Sequence, residues 1–588
     1  MAQHDIVIKG GTIVDGTGAD AFVGDVGIDG THITAVGGKL TGRSEIDADG
    51  AIVTPGWVDV HTHFDGQVTW DDQMDPSFSN GVTTLVMGNC GVGFAPCRPG
   101  EEQTLIELME GVEDIPGSAL SVGVPWGEWE TFGQYLDFLG GREYALDVAA
   151  QIAHGAVRFN VMGERGIRDE DATAEDLQAM RTLVEQAVRA GAVGCSTSRT
   201  VFHRSIDGTP VPGTFAADVE LMALAQGMAA GGGGVFEAIT SQSIGLMERF
   251  GGDRFTQDHE LDLLRRLSVA TGQKVTFTTV QSRDFPEAWR EALSYCAQAN
   301  AAGAQMFPQV ASRPVGLLSM LAGYHPFMRH RVYLEELAHL PVPERAAAMR
   351  GEGMRQRVLA SDIVPPELPG SMEALALDLA AAVPIMYVVD DVVDYEPGPD
   401  KMIGSIAASR GVTPDEAMYD HLAQGDGSNV VALLGAGYVD GNLDAVRTML
   451  TDPTTVVGLA DAGAHVKIIC DGSSPSTQLT HWGRDRSRGQ RIAIEALVHK
   501  QTGRNADLYG FADRGRLMPG LRADINVIDL DRLTVRRPRA HADLPDGSVR
   551  LLQPVEGYLA TLVAGTRTRA DDRDTGERPG RLVRGGAT

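Results

Sequence analysis

Hydrophobic and polar positions change rhythm along the chain. Up to about residue 54, short apolar alternations are separated by glycine. They include Ile6-Val7-Ile8, Thr12-Ile13-Val14, Asp25-Val26-Gly27-Ile28, His32-Ile33-Thr34-Ala35-Val36 and Ile46-Asp47-Ala48. Period-two runs between glycine turns predict a small β-domain, and Thr54-Pro55-Gly56 ends it. Near-continuous apolar runs follow, as expected of strands covered on both faces. They fall at 58–63, 83–87, 149–154, 192–197, 234–239, 275–280, 304–308 and 455–461, with helical patterns between several, such as 174–190 and 258–271. Eight parallel strands with intervening helices predict an α/β fold, a (β/α)8 TIM-like barrel. The alternative, an open doubly wound sheet, fits less well, because ligand-type residues recur at so many strand ends.

Two stretches exceed the minimal barrel. The first, about 95–145, carries Trp126, Trp129 and Phe132; the second, about 313–450, has helical patterns at 332–340 and 371–382. Insertions at this end of a barrel usually shape or cover a site. A further helix is expected over 491–502. Beyond it the strand-and-turn texture returns, in Ala523-Asp524-Ile525-Asn526-Val527-Ile528-Asp529 and again in Tyr558-Leu559-Ala560-Thr561-Leu562-Val563. The expected organisation is a small β-sandwich built from 1–54 and 515–588, beside a barrel over 55–514. The polar residues from about 570 are expected to be loosely held.

Composition narrows the partners. A formal charge of −29 over 588 residues argues against nucleic acid, which needs a basic surface, and against anionic membranes. No run approaches a membrane span, and no secretory signal is evident in the opening residues. Five scattered cysteines, Cys90, Cys97, Cys195, Cys296 and Cys470, suit a reducing compartment with free thiols. The reading is a cytoplasmic protein acting on a small molecule, with homo-oligomerisation left open.

Barrel sites lie at the C-terminal ends of strands. Residues i and i+2 of a strand share a face, so His61 and His63 project together and can chelate one divalent metal, zinc being usual for such ligands. Asp65 follows them. Strand 2 ends in Gly88-Asn89-Cys90-Gly91; a thiolate is a strong metal ligand, and a buried inert cysteine is the alternative. Strand 3 offers His154, equally suited to a structural hydrogen bond. Strand 4 offers Arg199, able to grip a substrate carboxylate or equally to form an ion pair, with His203 soon after. Strand 8 ends in Asp461, a ligand or general base, with His465 close behind. Together His61, His63, Cys90 and Asp461 suit a zinc site with an open position. Asp471-Gly472 and His481-Trp482-Gly483-Arg484-Asp485 fit loop turns and an ion pair better than a pocket lining. Gly231-Gly232-Gly233-Gly234 precedes a strand instead of opening a helix, which disfavours a nucleotide site.

The split terminal β-domain, the Pro55-Gly56-Trp57-Val58-Asp59-Val60-His61-Thr62-His63 strand and the closing Pro519-Gly520-Leu521-Arg522-Ala523-Asp524-Ile525 pattern resemble the amidohydrolase superfamily. The run 81–91 around Cys90, the run 191–198 and the Asp461 strand are similar to the N-acyl-D-amino-acid deacylases, the D-aminoacylases. That resemblance implies zinc ligation by His61, His63, Cys90 and Asp461, with Asp461 also the catalytic acid/base, and hydrolysis of carbon–nitrogen bonds other than peptide bonds. Two departures stand out. In that family the fifth and sixth strands each end in a zinc-binding histidine, but here they read Val235-Phe236-Glu237-Ala238-Ile239-Thr240 and Phe277-Thr278-Thr279-Val280-Gln281. Glu237 is a substitute ligand or an ordinary polar strand residue. Gln281 falls near the family's carboxylate-binding lysine. The expectation is one metal ion instead of a two-ion centre, with Arg199, His203, Glu237, Gln281 and His465 as candidate substrate contacts. Hydrolysis of a cyclic amide, ester or lactone is the alternative chemistry, and a degraded, non-catalytic binding site the alternative outside enzymes.

Overall fold

The computed structural model describes residues 3–246, 248–368, 370–470 and 472–586, so Asp471 lies outside the described residues. Both ends of the chain meet in one nine-stranded sheet. His4–Ile13 pairs antiparallel with Phe22–Asp29 and parallel with Gly42–Asp47 and Ile52–Pro55. Ile52–Pro55 then pairs antiparallel with Ile525–Ile528, which continues into Tyr558–Val563 and Thr566–Ala570. Alternate residues from both ends, among them Ile8, Val26, Val53, Ile525, Val527 and Leu562, are fully buried in a common core, as period-two patterning requires.

The apolar runs form parallel neighbours in chain order. Trp57–Asp59, Val82–Met87 and Asp147–Ala150 make one ladder. Ile152–Ala153, Gly194–Ser198, Val235–Ile239, Lys274–Thr278, Met306–Val310 and Val456–Val457 make the next. The third run is therefore a strand broken at Gln151. The last returns to the first through a parallel bridge between Thr62 and Ala462 and the bond from His63 N–H to Ala462 O, 2.8 Å. Helices cover the outside. Ala174–Ala190 follows its 3.6-residue rhythm from a Thr173/Asp176 capping box to Gly191 at φ 115°, a stop that suits glycine.

The long insertion builds a sheet and an apolar cluster of its own. Gly316–Ser319, Tyr387–Val389 and Val430–Leu434 form an antiparallel sheet, and short helices gather around Phe327, Tyr333, Val383, Ile403 and Tyr419. The 332–340 pattern is only a six-residue helix, Arg331–Glu336. The 371–382 pattern is Met372–Asp378 running into a 3-10 turn. The 491–502 pattern divides into Ile494–His499 and a π-helical turn, Lys500–Arg504.

The residues beyond 570 depart from expectation. Gly580 N–H bonds Tyr144 O at 2.8 Å and Val583 N–H bonds Val148 O at 2.7 Å, while Val583 packs against the buried cluster that includes Val58, Val60 and Val86. Apolar side chains among the charges give this tail a place along Asp147–Ala150. Among the described residues no helix is long and apolar enough to cross a membrane.

Candidate active site

Four residues foreseen as a metal set converge where the parallel strands end. His61, His63 and Cys90 have donor atoms all within 4.8 Å of one another. His61 Nε2 lies 3.3 Å from Cys90 Sγ and 3.2 Å from Asp461 Oδ1, and His63 Nε2 lies 3.7 Å from the same oxygen. The strand period explains the histidines. Backbone explains the other two: Cys90 and Asp461 leave their strands at φ 54° and φ 45°, a left-handed conformation that non-glycine residues adopt at a cost. The glycines beside Cys90 permit its turn. A Cβ on Gly88 would meet Gln151 O at 2.3 Å, and one on Gly91 would meet Ser198 N at 2.6 Å.

Residues behind these four fix their orientation. His61 Nδ1–H donates to Gln309 Oε1 at 2.5 Å, which leaves Nε2 facing Cys90 and Asp461. Cys90 N–H donates to Glu237 Oε2 at 2.9 Å. Asp65 accepts from Gly88 N–H at 3.1 Å. Glu113, the last residue of the helix Glu102–Glu113, places Oε1 3.1 Å from His63 Nδ1 and Oε2 3.7 Å from His465 Nε2.

Electrostatics separates these groups. Burial lowers His61 to about 4, although Asp461 opposes it, and lowers His203 to about 3 and His465 to about 4. His63 is also penalised by burial, but Glu113 and Asp461 outweigh that and raise it to about 9. Burial raises Glu113 to about 7, with His63 opposing. Asp461 is resisted by burial, yet its bond to His63 and the charges on His61 and His63 hold it well below the usual carboxylate range. Burial pushes the Cys90 thiol far up, with Glu237 adding; a bound cation inverts that logic, because a coordinating thiol is deprotonated. Two imidazoles, a sulfur and a carboxylate are a donor set that fits zinc. The buried oxygens of Glu113, which complete no hydrogen bond of standard geometry, add negative charge beside His63 that also fits a site taking a cation.

The four open onto a cavity of about 320 Å³. Glu113, His203, Thr278 and His465 add polar groups to its lining; the rest is mostly apolar, with Ile239, Val280 and Leu459 near the strand ends and Leu317, Met372 and Leu433 from the long insertion. His203 Nδ1 pairs with Ser198 Oγ at 3.1 Å.

Three candidates sit elsewhere. Arg199 is fully buried and spends its guanidinium on Glu260, at 3.1 Å, and on Ala216 O at 2.5 Å, under the Phe255 ring, so it is not turned to a substrate carboxylate. Gln281 Nε2–H donates to Asp440 at 2.8 Å, because the root of the insertion folds over it. Glu237 holds the Cys90 backbone from beneath and does not line the cavity. His154 opens a helix and is shared between Thr197 and Glu220, each at 2.8 Å; the structural role is the one observed. Arg484 pairs with Asp485 at 2.6 Å, away from this cavity. Gly231 ends the helix Asp218–Gly231, and no phosphate-binding helix start follows it.

Two residues with evident roles escape sequence reasoning. Gln309 carried a signal, a polar residue ending the apolar Met306–Val310 strand. Glu113 carried none, lying on an ordinary amphipathic helix of the first insertion.

The fold and site define a class. A family model described as the amidohydrolase family matches residues 44–568, and the chain belongs to that family, on its D-aminoacylase-like branch. It is a hydrolase of carbon–nitrogen bonds other than peptide bonds. N-acyl-D-aspartate deacylase of Alcaligenes xylosoxydans xylosoxydans is 25% identical over 594 residues, 99% of this chain and 95% of that enzyme. D-aminoacylase of the same organism is 34% identical over 195 residues, covering 33% of this chain and 37% of that enzyme. The crystal structure of N-acyl-D-glutamate deacylase from Bordetella bronchiseptica, complexed with zinc and a phosphonate inhibitor, is similar with a TM-score of 0.61 and 22% identity, covering 99% of each chain.

Proposed function

We propose that the protein hydrolyses an amide bond, with one divalent ion, zinc by preference, held by His61, His63 and Asp461 and with Cys90 at or beside it. The observation that carries this is the meeting of those four residues against the cavity, His61 Nε2 being 3.3 Å from Cys90 Sγ and 3.2 Å from Asp461 Oδ1. In this reading the closed ring of strands is a (β/α)8 barrel, the terminal sheet belongs to a β-sandwich, and residues 55–514 form the metal-binding domain.

Bound there, the ion supplies Lewis acidity, which polarises a carbonyl and makes water acidic enough to attack at neutral pH. Asp461, ionised beside two imidazoles, takes the water's proton and delivers it to the leaving nitrogen. Gln309 holds His61 in the tautomer that presents Nε2. The apolar walls exclude water and accept the acyl portion of the substrate. The names of the relatives support an N-acyl (D-)amino acid. Arg199 and Gln281 are occupied by Glu260 and Asp440, which favours as a second reading a cyclic amide, ester or lactone without a carboxylate to anchor.

The protein is expected to carry about one zinc per chain after mild purification. Asp461→Asn is expected to lower turnover about 10³-fold, within the range for a general acid–base group, with its circular dichroism unchanged. Undiminished hydrolysis by that variant would remove Asp461 from the mechanism. A screen of N-acyl-D- and L-amino acids, lactones and cyclic amides separates the substrate readings.

A further inference from the structure

We infer that Glu113 is the positioning residue for His63, so that the first insertion is a working part of the metal site. The inference rests on the proposal that His63 is a metal ligand. Metal-binding imidazoles generally donate their second ring N–H to a carboxylate, carbonyl or water, which fixes tautomer and orientation. His61 has such a partner within the barrel, Gln309. Among the described residues His63 has no counterpart on any strand; the group beside its Nδ1 is Glu113 Oε1, 3.1 Å away.

The carboxylate stands where stability alone would not put it. Its side chain is 1% exposed, neither oxygen completes a hydrogen bond of standard geometry, and neither does His63 Nδ1. It also closes a helix, the end at which a negative charge is disfavoured by the backbone dipole. Buried charges of this kind are tolerated when paired, and His63, with His465 further off, supplies the pairing.

The next residue explains how the helix end is held. Asp114 turns left-handed at φ 55°. One oxygen accepts from Lys467 N–H at 2.9 Å and the other from Tyr324 O–H at 2.7 Å. Glu113 O also accepts from His465 N–H. The helix end is thus fastened to the loop after Asp461 and to the long insertion, and Glu113 is delivered to His63 by that attachment.

The test measures zinc binding by the apo full-length chain in competition with a chromophoric chelator, with circular dichroism to verify folding. Glu113→Ala is expected to weaken zinc binding about 10- to 100-fold, the usual effect of losing such a partner. Glu113→Gln keeps an oxygen that accepts from Nδ1–H and is expected to stay within about fivefold of the parent chain. Glu113→Met, similar in length and without an acceptor, should behave like Ala and replaces it if the Ala variant does not fold. Zinc affinity within twofold of the parent in folded Ala or Met variants would overturn the inference, as would a Gln variant no better than they are. A parent chain that binds no zinc, or a His63→Ala variant that binds it undiminished, would instead fell the metal reading beneath it.

Discussion

The two sides of the strand-end rim have taken different chemistries. On the side of the first, second and eighth strands, His61, His63, Cys90 and Asp461 crowd their donor atoms together, with Gln309 behind His61, Glu113 behind His63 and Glu237 behind the Cys90 backbone. On the side of the fifth and sixth strands, Glu237 points beneath Cys90 and Thr278 ends its strand with a hydroxyl that has no partner. Ile239 and Val280 finish that wall. The difference lies less in the strands than in what backs them. A metal ligand must be desolvated, oriented and charge-compensated at once, and only one side has Gln309 and Glu113 to do so. The other side supplies dry surface, which strengthens every electrostatic interaction across the cavity.

The comparison can be broken or sharpened by substitution, beginning with the largest effect. His61→Asn on the ligand side is expected to leave less than about a tenth of a zinc per chain and turnover near background; near-stoichiometric zinc by elemental analysis would show that side is not the anchor. Arg199→Met leaves Glu260 buried without its partner and is expected to cost about 3–5 kcal/mol of stability by denaturant unfolding, with zinc content unchanged in the folded fraction. Loss of zinc without loss of stability would return Arg199 to the site. On the apolar side, Leu433→Ala is expected to raise KM about 10-fold for an apolar acyl group, as for one deleted wall contact; an unchanged KM across acyl lengths would place the substrate elsewhere. Thr278→Val, which removes an unpartnered hydroxyl at equal volume, is expected to leave zinc stoichiometry unchanged and stability the same or slightly higher. A drop in bound zinc would reveal a ligand on the side described as dry.

The parallel strands were legible because each lies in a near-continuous apolar run, and their chain order then dictated which ends share a rim. The residues at those ends that the structure brings together, such as His61, Cys90 and Asp461, were legible for the same reason. What escaped depends on tertiary direction. Arg199 ends a strand as an anchoring arginine would, but a helix brings Glu260 to it, and nothing local to 199 encodes that. Gln281 sits at the expected depth and is captured by Asp440, far along the chain. Glu113 lies on a helix whose own pattern says only that one face is buried. The polar composition of the tail predicts a loose end, yet at 580–583 a few backbone hydrogen bonds and Val583 suffice to dock it.

The pairing of Ile52–Pro55 with Ile525–Ile528 has a consequence for birth on the ribosome. The first five strands emerge with one rim of their sheet bare, and its partner is specified only some 470 residues later. At roughly 5–20 residues per second, that rim waits on the order of half a minute or more, a template for pairing with strangers. Slower translation, or a stop codon before 525, should therefore send this chain towards aggregation well before it affects any chemistry at His61.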